Sequence, residues 1–385
     1  MKEVLLRMYI NKGEKHLFER QNINMMQLDT SNTAENILFD KLIDLNNLYA
    51  SFKKCKKQTY WKCSVQRYES NLLFNLLELR NSLISGTYIQ KPFVEFELNE
   101  RGKKRHIKSL HISDRVLQRA LCDYILEPSI RKYLIYDNGA SIKGKGIDFT
   151  KRRLVTHLHK YYSKHGSEGY ILLCDFKKYF DSIPHDKLIL MFGKYIHDEK
   201  VLALVKYLIS TFGNGKGLGI GSQISQIAGI SYLIDLDNFI KIVKGCKYYG
   251  RYMDDFYIIH QDKNYLKSLL DEIKTVVNNL GLNLNEKKTQ IYRIDKGFTF
   301  LKLKTHITKT GQVIRIPCRK NIIREKRKLK KLKYKNINFK DIYNSYLSFT
   351  GNLKRYNSFF IIKKLNNFFN SLYYKELKIN NLSKL

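Results

Sequence analysis

The chain has 385 residues, 43% hydrophobic and 13% aromatic, enough to fill a packed core and to exclude wholesale disorder. Its 70 Lys+Arg against 35 Asp+Glu leave a formal net charge of +35 spread along the whole length, which points to a polyanionic partner, nucleic acid foremost and a membrane surface second. The six cysteines (Cys55, Cys63, Cys122, Cys174, Cys246, Cys318) form no CxxC pair and argue against a zinc module or a secreted disulfide framework.

In chain order, the opening MKEVLLRMYINKGEKHLFER is too interrupted by charge for a signal peptide. No segment approaches the roughly 18 uninterrupted apolar residues of a membrane span, so a soluble, cytoplasmic protein is expected. Residues 64–84 carry Val65, Tyr68, Leu72, Leu76, Leu79 and Leu83 at helical spacing, and Gly86 stops the helix. FVEFELNERGKKRHIK predicts two strands joined by a turn at Asn99–Gly102. The pattern from His111 to Tyr133 is helical; YDNGASIKGKG (136–146) is a loop, and a helix follows at about 147–165. The apolar run Tyr170–Cys174, bounded by Gly169 and Asp175, predicts a buried strand. A helix at 187–212 leads through GNGKGLGIGSQISQ to another at 223–243. Next come KYYGRY and FYIIH, two strands around a tight turn at Met253–Asp255, and an amphipathic helix at 261–280. NLNEKKTQIYRI precedes a strand pair around 297–316, and a basic helical tail begins RKNIIREKRKLKKLKYK. Ile322, Ile323, Leu329 and Leu332 give that first tail helix an apolar face. Strands alternating with helices, then a helical tail, predict an α+β body with a separate helical domain.

Two adjacent acids, Asp254 and Asp255, sit between heavily apolar and aromatic strands. A water-facing hairpin turn would explain them, but apolar flanks place the turn at the edge of a buried sheet, where free carboxylates are costly. Asp175 ends the strand YILLCD, where it either caps the next helix or converges on the hairpin. If β-pairing brings the three together, they can hold two Mg²⁺ ions about 4 Å apart, the clamp for in-line nucleotidyl transfer.

The ordered segments resemble a reverse transcriptase. LLCDFKKYFDSIPH resembles the first palm motif, GIGSQISQ the glycine-serine motif, YMDD the signature motif, NLNEKKTQI the lysine-bearing motif and FTFLKLKTHIT the primer-gripping hairpin. KKRHIKSLHISDRVLQRAL and YDNGASIKGKG resemble finger motifs of the bacterial branch, which includes group II introns, retrons, diversity-generating retroelements and defence-associated enzymes. The resemblance runs from about residue 45 to 350. It implies a right hand: a ferredoxin-like βαββαβ palm, fingers and a C-terminal all-α thumb. The implied boundaries are an N-terminal extension over 1–45, fingers and palm over 46–305, and a basic helical thumb over 306–385.

By resemblance, Asp175 and Asp254 are metal ligands, Asp255 is the third carboxylate and Phe176 offers its backbone carbonyl, with Mn²⁺ a substitute for Mg²⁺. Phe180 matches an aromatic steric gate that excludes a 2′-hydroxyl, so DNA is the implied product. Lys104, Arg105 and Arg115 are candidates for the triphosphate and template backbone, with Gly221 and Gln223 beside the incoming nucleotide. Tyr252, Met253, Ser225 and Gln226 are assigned to primer and template. Lys288 matches a lysine that approaches the leaving pyrophosphate as a general acid. Two positions depart from the family pattern: Ile220 stands where many members have a glutamine, and Lys302 replaces a usual glycine.

The implied partners are deoxynucleoside triphosphates, an RNA template in the form of a dedicated structured non-coding RNA, the complementary DNA and, as an open arrangement, a second copy of the chain. No RNase H-like acidic cluster or endonuclease pattern is found, so neither template degradation nor target cutting is expected. Within the family an antiphage defence role is favoured over diversity generation. Template-independent DNA synthesis and a non-catalytic RNA-binding scaffold are the alternatives.

Overall fold

The computed structural model describes residues 37–57, 59–100, 102–335 and 337–379, so residues 1–36 of the N-terminal extension lie outside the described residues. The chain divides into two compact units that interleave along the sequence: residues up to Tyr136 with Phe176–Val243 and Ile273–Leu284, and Asp137–Asp175 with Lys244–Glu272 and Asn285–Leu385.

The first unit is mainly helical. Helices Ile37–Ile43 and Leu45–Lys56 open it, the second capped by Asp44, whose carboxylate accepts from Asn47 N at 2.9 Å. The single helix expected over 64–84 is two, Cys63–Ser70 and Leu72–Ile84. Asn71 breaks it by leaving the helical region (φ −120°, ψ 39°), and Asn75 Nδ2 spans the break to the carbonyl of Tyr68 at 2.9 Å. Strands β1 (Val94–Glu100) and β2 (Lys103–Ser109) form the expected antiparallel hairpin. Helix Ile112–Ala120 continues through a π-helical turn, Leu121–Leu126, into Glu127–Arg131. Pro128 lacks an amide to donate, and a π turn before it accommodates the lost bond. The helix expected over 187–212 is also two, His185–Gly193 and Glu199–Ser210; Asp198 starts the second by accepting from Val201 N at 3.0 Å. Gln223–Ser231, Ile234–Asn238 and a second π turn, Phe239–Val243, replace the helix expected over 223–243. Leu117, Leu121, Ile125, Val205 and Leu208 are completely buried in this unit.

The second unit carries the main sheet. Its strands are β3 (Tyr170–Cys174), β4 (Tyr249–Tyr252), β5 (Asp255–His260) and β6 (Gln290–Arg293). Their order is β4-β5-β3-β6 and every pairing is antiparallel. Helical chain joins β3 to β4, a two-residue turn joins β4 to β5, and helix Lys263–Asn279 lies between β5 and β6. That is the βαββαβ connectivity of a ferredoxin-like sheet, with the first strand central. Helix Ile147–His165 buries Leu154, Leu158 and Tyr161 in one cluster with Ile171, Leu173, Tyr257 and Ile259.

The pair expected around 297–316 is three strands, β7 (Phe298–Phe300), β8 (Leu303–Ile307) and β9 (Val313–Pro317). A second turn, closed by Thr308 N on Gln312 O at 2.9 Å with Gly311 at φ +82°, adds the extra hairpin. Helices Arg319–Lys333, Phe339–Leu353, Phe359–Leu372 and Tyr374–Ile379 follow. They share a core of Leu329, Ile342, Tyr346, Leu365, Phe369 and Tyr373, in which the Tyr346 and Phe369 rings stack at 4.2 Å. Of the predicted apolar face, Leu329, Ile322 and Leu332 pack on this core, whereas Ile323 is exposed. Among the described residues no helix is long and apolar enough to cross a membrane.

Candidate active site

Strand register assembles the acidic cluster. In the β3–β5 pairing Cys174 faces Phe256, and in the β3–β6 pairing Leu173 faces Gln290. Continuing each ladder past the end of β3 sets Asp175 beside Asp255 on one side and Lys288 on the other. The side chains meet there. Lys288 Nζ lies 2.6 Å from Asp175 Oδ2, and Asn285 Nδ2 approaches the other oxygen at 3.4 Å. Asn285 N also donates to the Asp175 carbonyl at 2.7 Å, tying the chain before β6 to the end of β3.

Asp255 is bonded to the Asp175 carboxylate. Burial, then the negative charges of Asp254 and Asp175, then that bond push its carboxyl up to about 7, while Lys288 pulls the other way. Burial works against the Lys288 ammonium, but the Asp175 bond and the charges of Asp175, Asp255 and Asp254 together raise its pKa. Protonation of Asp255 relieves part of the repulsion in this cluster, and the Lys288 ammonium offsets a further part.

The turn that presents Asp254 is strained. Met253 sits at φ +57°, a left-handed conformation a long unbranched side chain adopts at a cost. Arg251, on β4, is completely buried, and its Nη1 donates to the Met253 carbonyl at 3.0 Å. The Arg251 backbone is itself clamped: its N–H donates to Asp137 O at 3.1 Å, and its carbonyl accepts from Gly139 N at 3.0 Å. The buried Asp137 carboxylate is held by Arg153 Nε at 2.5 Å, so the segment that grips β4 is fixed in turn. Tyr252 and Met253 are half-buried at this tip. Sequence reasoning missed Arg251; in so basic a chain, one more arginine carries no signal until its burial is known.

The remaining sequence-predicted residues lie in the first unit. Lys104 and Arg105 are exposed on β2, where Lys104 pairs with Glu97 at 3.4 Å. Arg115 is half-buried on helix Ile112–Ala120. Phe176 is buried and bridges to Leu284; Phe180 is half-buried, its ring edge-on to Tyr179 at 5.5 Å. The GIGSQISQ segment lies along β2: Ile220 bridges Ile107, and Lys108 N donates to Ile220 O at 3.1 Å. Gly221 runs at φ +116°, and a Cβ there would meet the Lys108 carbonyl at 3.2 Å, so glycine permits the approach. Both ends of the Gln223 amide are engaged within the protein, accepting from Arg119 at 3.2 Å and donating to Asp123 at 2.9 Å. Ser225 is buried, its hydroxyl without a hydrogen-bond partner among the described residues, and Gln226 is exposed.

A divalent cation is the group this chemistry implies. Among the described residues no three His, Cys, Asp or Glu side chains are arranged as a ready metal cage. The donor set nevertheless fits a hard cation: the groups are carboxylate oxygens, and burial and mutual repulsion hold Asp255 partly protonated. The Lys288 ammonium already occupies a place where the cluster calls for positive charge.

With this geometry in hand, the family model described as "Reverse transcriptase (RNA-dependent DNA polymerase)" matches residues 89–309, more than half of the chain. Together with the mixed helix and strand content, this match supports the expected α+β right-hand polymerase fold. A comparison with curated proteins gives no match. Among solved structures, similarity is found to apo telomerase from Candida tropicalis truncated from its C-terminal domain, at 16% identity and TM-score 0.46 over 63% of this chain and 60% of that one. Telomerase from Candida albicans in complex with a fragment of telomeric RNA is similar at 13% identity and TM-score 0.48, over 75% of this chain and 57% of that one. The chain thus spans less than two thirds of the structures it matches.

Proposed function

This chain belongs to the reverse transcriptase family, and on that premise we propose that it is an RNA-directed DNA polymerase that adds deoxynucleotides to a 3′-hydroxyl on an RNA template. The observation that carries this reading is the convergence of Asp175 and Asp255, with Asp254 in electrostatic reach and Lys288 bonded at 2.6 Å, at the end of one buried sheet.

Asp175, Asp254 and Asp255, with the Phe176 carbonyl, are the groups that would hold Mg²⁺, or Mn²⁺ in its place. When bound, such ions supply a lowered pKa for the attacking hydroxyl and charge neutralisation on the triphosphate. The protein's own groups do the rest. Once its pairing with Asp175 is relieved, Lys288 can give a proton to the leaving pyrophosphate oxygen. Arg251 holds the Met253 turn so that Asp254 and Asp255 stay aimed at the reacting atoms, and Tyr252 and Met253 meet the primer end. Phe180 excludes a 2′-hydroxyl. Lys104, Arg105 and Arg115 balance triphosphate and template charge, while Gly221 lets the backbone approach the nucleotide. Gln223 acts by bracing that loop through Arg119 and Asp123, and Ser225 and Gln226 face the template side.

In this reading residues 46–305 are fingers and palm and 306–385 the thumb. The finger segments KKRHIKSLHISDRVLQRAL and YDNGASIKGKG favour the bacterial branch, a dedicated structured RNA as partner and a cytoplasmic setting. An antiphage defence role is the biological reading we favour.

Primer extension by the purified chain tests the chemistry. Templated deoxynucleotide incorporation should depend on added Mg²⁺ and fall to background in Asp254→Asn. Product whose sequence ignores the template would point to template-independent synthesis, and an Asp254→Asn variant with full biological activity would point to a scaffold.

A further inference from the structure

We propose that a cleft in the second unit, built from none of the acidic-cluster residues, binds the phosphodiester backbone of a nucleic acid strand. The cleft has a volume of about 360 Å³ and is lined by Asp148, Lys151, Arg152, Arg315, Arg355 and Tyr356. Four cations thus share the space with a single carboxylate.

Their partners show how little of that charge is neutralised. Arg355 Nη1 pairs with Asp148 at 2.6 Å, and this consumes the one acid that lines the cleft among the described residues. Lys151 and Arg315 are held by an aromatic ring, lying 5.2 and 5.4 Å from the centroid of Tyr356. Lys151 Nζ also donates to the Tyr356 hydroxyl at 3.0 Å. Such cation–π contacts position the cations and leave their charge intact. Arg152 is exposed, and among the described residues its guanidinium has no hydrogen-bond or ion-pair partner. Four like charges in one cleft repel, and the exposed Arg152 makes no contact that offsets this among the described residues. An anion that threads between them converts that repulsion into attraction.

The site is also firm. Arg315 lies on β9, and the turn bearing Arg355 and Tyr356 is tied to that strand by two bonds of 2.9 Å, Asn357 N to Arg315 O and Arg315 N to Asn357 Oδ1. Asp148, Lys151 and Arg152 come from the first turns of helix Ile147–His165. Three elements thus hold the cations at fixed spacing, as a chain of phosphates requires. The ring of Tyr356 is occupied by cations instead of lying open for a base, so the site reads backbone and not sequence. A diester strand suits it better than a lone nucleotide. The inference borrows from the polymerase reading only the expectation that nucleic acid is the partner.

The test uses the full chain and fluorescence anisotropy with a short labelled single-stranded RNA and a DNA of the same sequence, each over a salt series. Neutralising two contacts in Arg152→Gln/Arg315→Gln should weaken binding and reduce the slope of log affinity against log salt by about 1.4, and Arg152→Gln alone by about 0.7. The single variant keeps the test decisive if loss of Arg315 from the Tyr356 face disturbs folding. Loss with RNA, with DNA or with both supports the site and identifies which strand it takes. An unchanged slope for both probes overturns it. So does an equal loss in the control Lys263→Gln/Lys267→Gln, which removes two exposed charges from another helix. Primer extension on the same preparations separates the two claims. Wild-type chain that binds with the expected slope but incorporates no deoxynucleotide would sink the polymerase reading and leave the cleft standing.

Discussion

Arg251 ties a buried guanidinium to the one carbonyl that defines the tip of the acidic hairpin, the Met253 oxygen at 3.0 Å. A left-handed methionine is retained only where its surroundings over-determine it, and this bond is part of that surrounding. Arg251→Met is therefore expected to destabilise the fold by about 2 kcal/mol, the cost of a lost charge-assisted bond and a stranded acceptor. It should also lower kcat for incorporation while leaving the KM for deoxynucleotide near wild type, with Arg251→Lys partly restoring kcat. Steady-state kinetics alongside urea melts will check this; a destabilised variant with unchanged kcat would reduce Arg251 to a core residue. The contrast with Asp175, Asp254 and Asp255 shows what a sequence discloses about a site. Acids between apolar strands are conspicuous because burial of charge is costly. A buried arginine in a chain with 70 basic residues has nothing to set it apart. Gln223 is the opposite case: the resemblance of GIGSQISQ to the family's glycine-serine motif makes it a contact candidate, and its amide is bonded to Arg119 and Asp123, neither of them near it in sequence.

Elements were legible where a local pattern had local boundaries. Strand β3 and helix Ile147–His165 follow their predicted limits, because glycines and charges punctuate them. The breaks at Asn71 and before Asp198 are hidden in the sequence because apolar residues recur on both sides of them; a non-helical Asn71 makes the first, and the second falls between the end of one helix at Gly193 and the cap of the next at Asp198. His111 caps helix Ile112–Ala120 by accepting from Ser113 N at 3.3 Å, and burial, then the charge of Lys91, lower its pKa from 6.5 to about 4. Between those values the unfolded chain binds a proton that the folded chain refuses, so stability should fall as pH drops from about 6.5 towards 4 and be insensitive to this group above that window. Urea melts at about pH 7 and about pH 5 should show His111→Asn, which keeps a capping side chain, losing less stability on acidification than wild type; parallel losses would remove His111 as the cause. In the β7–β8 hairpin, Leu301 and Lys302 adopt φ +44° and +66°, the pair of left-handed residues a tight two-residue turn requires. The glycine that family members usually carry would be relaxed there, so Lys302→Gly is expected to raise stability by about 0.5–1 kcal/mol. A lower melting midpoint would mean that the Lys302 side chain contributes more than its backbone strain costs.

For the whole chain, the dominant quantity is charge. A net +35 is far more than solubility needs, and with no anionic partner it is self-repulsion. In the second unit the excess is gathered on surfaces of related kind. Lys304, Arg319, Lys320, Lys326 and Lys364 rim a groove of about 740 Å³ between the three-stranded sheet and the helices that follow it, with Ile316, Ile322 and Leu365 as its apolar floor. If those five and the three cleft cations not paired with Asp148 (Lys151, Arg152 and Arg315) each displace a counterion from a bound strand, about eight phosphates are neutralised, and log affinity should fall with log salt at a slope of roughly −6 for a single strand. That corresponds to a loss of roughly 4,000-fold in affinity between about 50 and 200 mM salt. The same counting predicts where the dependence resides. Neutralising Lys320 and Lys326 should reduce the slope by about 1.4 and do so additively with Arg152→Gln/Arg315→Gln, because the two sets line different clefts. A shallow slope in the wild-type chain, on the order of −2 or less, would mean that most of this positive surface never meets nucleic acid. The charge excess would then have to be assigned to composition instead of function.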